Sequence, residues 1–138
     1  MEIEKLDMNK DKFTFIHNEA LSLLHCFEKY IKECNQSLCS DESELLVLRY
    51  FQCQLKDKLE ISRNSDLIII NFTKDETMVF FEWVFRLNEN IESLFFEKET
   101  EEQLFFDLEC IMEKNIDCIF SSNYTEILDK ARRNIKKN

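Results

Sequence analysis

Apolar residues recur every three or four positions along most of the chain, which is the spacing of one face of an α-helix. The first such series predicts a helix of about seven turns starting at Phe13. It ends near Asn35 or Ser37, and residues 1–11, which are polar, are expected to be a disordered or frayed N-terminus. The rest, residues 12–136, is expected to form a single helical domain. The series consists of Phe13, Ile16, Ala20, Leu23, Phe27, Ile31, Cys34 and Leu38.

The middle of the chain predicts a second helix, a turn and one ambiguous segment. Ser40 is the predicted N-cap of the second helix, because a serine side chain accepts hydrogen bonds from the first backbone N–H groups. A polar turn is expected at 62–65. Residues 67–72 contain four consecutive aliphatic residues, as strands do, but no second strand is evident, so we expect a short buried helix or an extended connection. The stripe of the second helix is Leu45, Leu48, Gln52, Leu55 and Leu59.

Two capping boxes and a polar segment predict where three further helices begin. Thr73 with Glu76, and Thr100 with Gln103, have the spacing in which side chain and backbone cap each other. The helix after Thr73 is apolar on nearly all sides in its first three turns, which predicts a central, buried helix. Ser122 or Asn123 is expected to start the last helix.

The complete absence of glycine and proline supports a helical fold. Glycine ends helices and supplies the turns of phosphate-binding loops, and proline interrupts helices. Dinucleotide-binding and phosphate-binding glycine loops are therefore excluded. We predict an all-α domain, a bundle of five to seven helices around the central apolar helix.

The charge and hydrophobic content limit the partners. The net charge is −10 and 44% of the residues are hydrophobic, including 13 Phe. A chain this acidic is not expected to bind nucleic acid or anionic membranes. Its apolar runs are too short to span a bilayer, and the polar start is not typical of a signal peptide. A cytoplasmic protein without an integral membrane segment is expected.

The cysteines and histidines do not form a recognisable metal or catalytic motif. Six cysteines are present without a C-x-x-C pair, and Cys26, Cys34 and Cys53 are expected to be buried, reduced thiols. His25 and Cys26 are adjacent, so on a helix they point about 100° apart. Carboxylate pairs such as Glu97 and Glu101 are interpreted as solvated. We therefore expect no enzyme activity, no metal and no cofactor.

The aromatic residues suggest an interaction surface. Three phenylalanine doublets occur, Phe80–Phe81, Phe95–Phe96 and Phe105–Phe106. Because neighbouring residues of a helix diverge, one ring of each doublet is expected to leave the core. Exposed aromatic side chains often mark sites where another protein binds.

The order of the helices resembles that of the poxviral Bcl-like proteins over residues 18–130. The resemblance rests on Ile69–Lys74 before a hydrophobic central helix, and on Glu101–Met112 with Glu113–Ile116 as the penultimate helix. Cellular relatives carry an Asn-Trp-Gly-Arg signature at the central helix, where this chain has only Trp83 and Arg86. The family implies binding without catalysis. One branch holds amphipathic death-motif helices in a groove, and another dimerises and blocks innate immune signalling adaptors.

The groove reading assigns partner-binding residues to the second and central helices. Arg86 is expected to pair with an acidic residue of the bound helix. One alternative is a homodimer formed through helix faces. Another alternative, from a different class of function, is a helical fragment of a larger scaffold or assembly factor. The other predicted partner-binding residues are Leu48, Phe51, Leu55, Val84 and Phe85.

Overall fold

The computed structural model describes residues 1–7, 9–33, 41–89 and 99–137. Within them the chain forms a three-stranded antiparallel sheet and five α-helices. In chain order these are β1 (Glu2–Asp7), β2 (Lys10–Phe15), α1 (His17–Glu33), α2 (Glu42–Ile61), β3 (Ile68–Thr73), α3 (Lys74–Glu89), α4 (Glu99–Asn115) and α5 (Tyr124–Lys137).

The sheet shows that the predicted all-α, Bcl-like bundle is wrong. Strands β1 and β2 form a hairpin, and β2 lies in the middle because it also pairs with β3. Phe13 lies opposite Ile70, and Phe15 lies opposite Ile68. The partner strand β3 follows two long helices in the sequence. The local spacing of apolar residues therefore did not show that β2 and β3 pair with each other.

The N-terminal segment is ordered in the sheet, not frayed, and the first helix begins at His17 instead of Phe13. In β2 the residues Asp11, Phe13 and Phe15 are buried, and those between them are more exposed. This alternation has the period of two that belongs to a strand with one buried face. The three- and four-residue steps from Phe13 onward match a helix equally well, and this coincidence explains the error.

Strand β3 occupies the segment that we expected to be a short helix or a connection. Ile68, Ile70 and Phe72 point into the core, and Asn71 and Thr73 are exposed. Side chains of α2 cover backbone acceptors of β3: the Tyr50 hydroxyl donates to the Asn71 carbonyl oxygen at 2.8 Å, and Lys58 Nζ donates to that of Ile69. Occupied acceptors make an edge strand less able to pair with another chain.

The core lies between the sheet and the helices, and α3 runs through it. The prediction that this helix is central is confirmed, since α3 contacts α2, α4, α5, β2 and β3. Its residues 77–81, 83 and 84 are all buried. Phe51 of α2 connects the layers, with ring centroids 5.9 Å from Phe15, 4.8 Å from Phe27, 5.0 Å from Phe72 and 5.0 Å from Phe80.

The helix starts agree with the sequence in part. Glu76 N donates to Thr73 Oγ1 at 3.1 Å and Thr73 N donates to Glu76 Oε1 at 2.8 Å, which confirms the first capping box. The second is wrong, because Thr100 lies inside α4. Asp41 caps α2 through Ser43 N, and the predicted cap Ser40 lies outside the described residues. The start of α5 directly after Asn123 is confirmed.

Candidate functional site

One concave surface of the described residues is an apolar groove of about 220 Å³ between α3, the end of α4, the connection that follows it, and the start of α5. Its aromatic lining comes from three separate parts of the chain. The groove brings positions 81, 82 and 85 of α3 to the same surface as positions 113, 119, 120 and 124. We use the name apolar groove for the site lined by Phe81, Glu82, Phe85, Glu113, Ile119, Phe120 and Tyr124.

The aromatic rings of the groove range from buried to almost fully exposed. Phe81 is 3% exposed and forms the floor, and its ring centroid lies 6.2 Å from that of Phe85. Phe85 is 37% exposed and Phe120 is 85% exposed. Phe81 and Phe85 are one helical turn apart, which places both rings on the same face of α3. Exposed rings around a buried apolar floor favour binding of another apolar group.

Carboxylates give the groove a negative character. The Tyr124 hydroxyl donates to Glu82 Oε2 at 2.8 Å. Burial, followed by this hydrogen bond, raises the pKa of Tyr124, so the phenol stays protonated. Glu113 lies beside Glu109, whose pKa is raised by burial first and then by the neighbouring Glu113 and Glu89. Acidic side chains thus gather next to the apolar lining.

Four of the six predicted partner-binding residues lie in the hydrophobic core. Leu48, Phe51, Leu55 and Val84 are 0% exposed, and none of them lines the apolar groove. In this conformation a partner does not reach them. Phe85 lies in the groove, on the opposite side of α3 from the aromatic cluster around Phe51. The helical spacing identified apolar stripes, but it did not show which stripe the sheet covers.

The sixth residue, Arg86, pairs within the chain. Its guanidinium donates to Glu44 Oε2 of α2, and the Glu44 side chain is only 1% exposed. The Tyr30 hydroxyl lies 3.5 Å from the other oxygen of the same carboxylate. Burial raises the pKa of Tyr30. Arg86 therefore neutralises a buried acid in the structure, where we had expected an acid from a partner.

Sequence analysis missed the groove residues Ile119, Phe120 and Tyr124. They lie in and after the connection between α4 and α5, and none of them is among the predicted partner-binding residues. A signal was present, because Phe120 is followed directly by the polar residues 121–123. An aromatic residue beside a polar connection has few apolar neighbours with which to be buried.

Of the two phenylalanine doublets within the described residues, one behaves as predicted. Phe105 is fully buried and Phe106 is 55% exposed, which confirms the expected divergence. In the pair Phe80–Phe81 both rings are buried, because α3 is covered on several sides. The pair Phe95–Phe96 lies outside the described residues.

A second cluster joins α1 to the first turn of α4. His25 Nδ1 and Cys26 Sγ each lie 3.0 Å from Glu101 Oε2. The three potential ligand atoms lie within 4.8 Å of one another, and among the described residues this is the group with the composition of a metal site. Glu101 is 4% exposed, so the expectation that it is solvated is wrong. A carboxylate from a distant helix gives the adjacent His25 and Cys26 a common partner.

The cysteines differ in exposure. Cys26 is buried, as expected, but Cys53 is exposed, contrary to expectation. Cys110 and Cys118 are partly exposed, and all four of these cysteines are thiols and not disulfides. Cys34 lies outside the described residues. Burial is the main reason that the pKa of Cys118 is raised, which keeps this thiol protonated.

No protein-family model, characterised protein or solved structure matches the chain. Among the described residues, no helix combines the length and the apolar character that crossing a bilayer requires. Arguments about function therefore rest on the groove and the cluster themselves.

Proposed function

We propose that this chain is a non-enzymatic protein-interaction domain whose apolar groove binds an amphipathic helix of another protein. The observation that carries this proposal is that Phe120, which is 85% exposed, lines the same groove as Phe85 and the buried Phe81. An apolar side chain of a partner, inserted among these rings, removes apolar surface of both proteins from water. Burial of one large apolar side chain contributes about 1.5–3 kcal/mol.

The charge of the groove defines the chemistry of the bound helix. Glu82 and Glu113 are part of the lining, and the whole chain has a net charge of −10. A helix with Lys or Arg next to its apolar stripe places positive charge against these carboxylates. Complementary charge speeds association and excludes acidic partners. The proposed occupant is therefore a basic amphipathic helix.

The shape of the site favours a helix over an extended strand. Helices α3 and α5 form the walls of the groove together with the end of α4. An amphipathic helix binds such a site through apolar residues that recur every three or four positions. The outer carbonyls of Ile69 and Asn71 in β3 already accept hydrogen bonds from α2, so addition of a strand at this edge is disfavoured.

Peptide binding tests the proposal. Fluorescence anisotropy with labelled amphipathic peptides, in a basic and an otherwise identical acidic version, is expected to show binding of the basic version only. Phe120→Ala is expected to weaken it by about tenfold or more, because a buried aromatic anchor contributes about 2 kcal/mol. Phe106→Ala is the matched control, since Phe106 is also exposed and lies outside the groove. Higher salt should weaken binding.

Three results would contradict the proposal. Equal binding of the acidic peptides would show that the carboxylates do not select the partner. Equal losses in Phe120→Ala and Phe106→Ala would place the contact elsewhere. A concentration-dependent dimer in sedimentation experiments, abolished by Phe120→Ala, would show that a second copy of this chain occupies the groove.

A further inference from the structure

We infer that His25, Cys26 and Glu101 form a binding site for a divalent transition metal, with Zn²⁺ as the preferred ion. The inference is independent of the apolar groove, which shares no residue with this cluster. The first argument is the ligand set itself. An imidazole nitrogen, a sulfur and a carboxylate oxygen are the three ligand types that Zn²⁺ takes from proteins.

The distances suit a metal ion with little movement of the side chains. With the usual bond lengths to Zn²⁺, nitrogen, sulfur and oxygen ligands of a tetrahedral site lie roughly 3.4–3.6 Å apart. In the structure Nδ1 and Sγ each lie 3.0 Å from Glu101 Oε2, and all three atoms are within 4.8 Å of one another. Small changes in side-chain torsion therefore separate the hydrogen-bonded arrangement from a metal-bound one.

The protons can be accounted for. On metal binding the Cys26 thiol loses its proton to solvent, and the thiolate sulfur binds the ion. In the hydrogen-bonded arrangement Nδ1 of His25 donates a proton to the Glu101 carboxylate. For Nδ1 to bind the ion, this proton has to move through solvent to Nε2, so that a neutral imidazole presents the Nδ1 lone pair and the ring keeps one proton in all. Glu101 binds as a carboxylate. One thiolate and one carboxylate together neutralise the two charges of the ion.

Two of the three proposed ligands are buried, and the third is partly exposed to solvent. Cys26 and Glu101 are 2% and 4% exposed, so two anionic ligands would lie close together away from water. Such an arrangement is unfavourable without a compensating cation. The His25 side chain is 53% exposed, which gives the ion a route from solvent and leaves a coordination position open to water. The net charge of −10 attracts cations to the surface.

The ligand types exclude the hard cations. Mg²⁺ and Ca²⁺ prefer sites made entirely of oxygen, whereas sulfur and nitrogen ligands favour zinc and neighbouring transition metals. Co²⁺ is a suitable probe, because it adopts the same tetrahedral geometry and absorbs visible light. A thiolate ligand adds a sulfur-to-metal charge-transfer band in the near ultraviolet.

The test is a titration of the reduced, metal-free full chain with Co²⁺ under anaerobic conditions. We expect one Co²⁺ per chain, tetrahedral visible bands, a charge-transfer band, and displacement of the signal by one equivalent of Zn²⁺. Cys26→Ser should abolish the charge-transfer band. His25→Asn and Glu101→Gln should weaken binding by at least about tenfold, since loss of an outer-shell partner alone costs that much. Cys53→Ser and His17→Asn are matched controls and should bind like the parent chain.

Three results would overturn the inference: no binding with Co²⁺ or Zn²⁺ in large excess, a charge-transfer band that persists in Cys26→Ser, or a band that is lost in Cys53→Ser. Because substitutions at buried positions can impair folding, a second measurement uses the unaltered chain. Zn²⁺ should slow alkylation of Cys26, located by peptide mass, and should leave alkylation of the exposed Cys53 unchanged. Equal alkylation of Cys26 with and without Zn²⁺ would also overturn it.

Discussion

Asp11, Glu44 and Glu101 are 3%, 1% and 4% exposed, and each carboxylate has a partner on a different element. Lys74 of α3 pairs with Asp11 of β2, Arg86 of α3 pairs with Glu44 of α2, and α1 supplies partners for Glu101 of α4. A buried carboxylate without a partner is strongly unfavourable. Each pair therefore restricts how two elements pack against each other.

Glu109 provides a prediction about pH. Burial, followed by the neighbouring Glu113 and Glu89, raises its pKa above the usual range of glutamate. Well below that range both folded and unfolded chains carry the proton, and the group has no effect on the free energy of unfolding. As the pH rises, the unfolded chain loses the proton first, so ionisation favours unfolding. The destabilisation is complete once the pH exceeds the pKa of the folded state.

Glu109→Gln is therefore expected to increase stability at pH 7 and to leave it unchanged at acidic pH. The expected gain is about 0.2–0.5 kcal/mol, the size of a like-charge pair one helical turn apart. The glutamine retains an oxygen that accepts from Asn88 Nδ2, which now donates to Glu109 Oε1 at 3.0 Å. Urea denaturation at both pH values measures the effect. Glu102→Gln, at an exposed position, is the control and should give no gain; a gain of equal size there would contradict the explanation.

At the scale of the secondary-structure elements, the chain has two sequences with the spacing of a capping box, and only one of them caps a helix. Thr73 ends β3 and caps α3, with both reciprocal hydrogen bonds in place. Thr100 has Gln103 at the same spacing, yet it lies within α4, which begins at Glu99. A capping box requires the threonine to lie outside the helix with extended backbone. Here the preceding strand holds Thr73 in that conformation.

Alanine substitutions test this difference between the two threonines. Thr73→Ala is expected to lower the free energy of unfolding by about 1 kcal/mol, the typical loss of an N-cap side chain. Thr73→Ser retains the hydroxyl and should lose much less. Thr100→Ala should change stability by no more than about 0.5 kcal/mol, as surface substitutions do. Thermal denaturation followed by circular dichroism compares the three variants. Equal losses at Thr73 and Thr100 would contradict the assigned caps.

For the whole molecule, the buried aromatic cluster joins the sheet to the helices. Phe51 contacts Phe15 of β2, Phe72 of β3, Phe27 of α1 and Phe80 of α3. It therefore touches both layers of the fold at once. Loss of its ring removes contacts between elements that the sequence places far apart.

Phe51→Ala is expected to destabilise the chain by about 3–5 kcal/mol, the range for removal of a buried aromatic ring. Phe51→Leu fills more of the space and should cost less. Phe106→Ala, at an exposed position of α4, is the matched control and should change stability little. Urea denaturation followed by fluorescence of the single, buried Trp83 measures all three. A loss at Phe106 as large as at Phe51 would contradict the central position of the Phe51 ring.

The sequence by itself determined the features that depend on near neighbours. Helical spacing located most of the length of the five helices, and the Thr73 box set the start of α3. Its apolar circumference, in which the consecutive residues Val79, Phe80 and Phe81 point about 100° apart around the axis, marked it as central. These are properties of one segment, because side chains three or four positions apart share a helix face whatever surrounds them.

Only the tertiary structure decided the features that join distant segments. Strand β3 becomes a strand because β2 satisfies its backbone, and an isolated strand has no such partner. The same sheet buries Phe51 and leaves the other side of α3, with Phe85, for the apolar groove. Glu101 meets His25 and Cys26 because α4 packs on α1. The pairing and packing of distant segments depend on which surfaces meet in the folded chain. The local spacing of apolar residues does not contain that information.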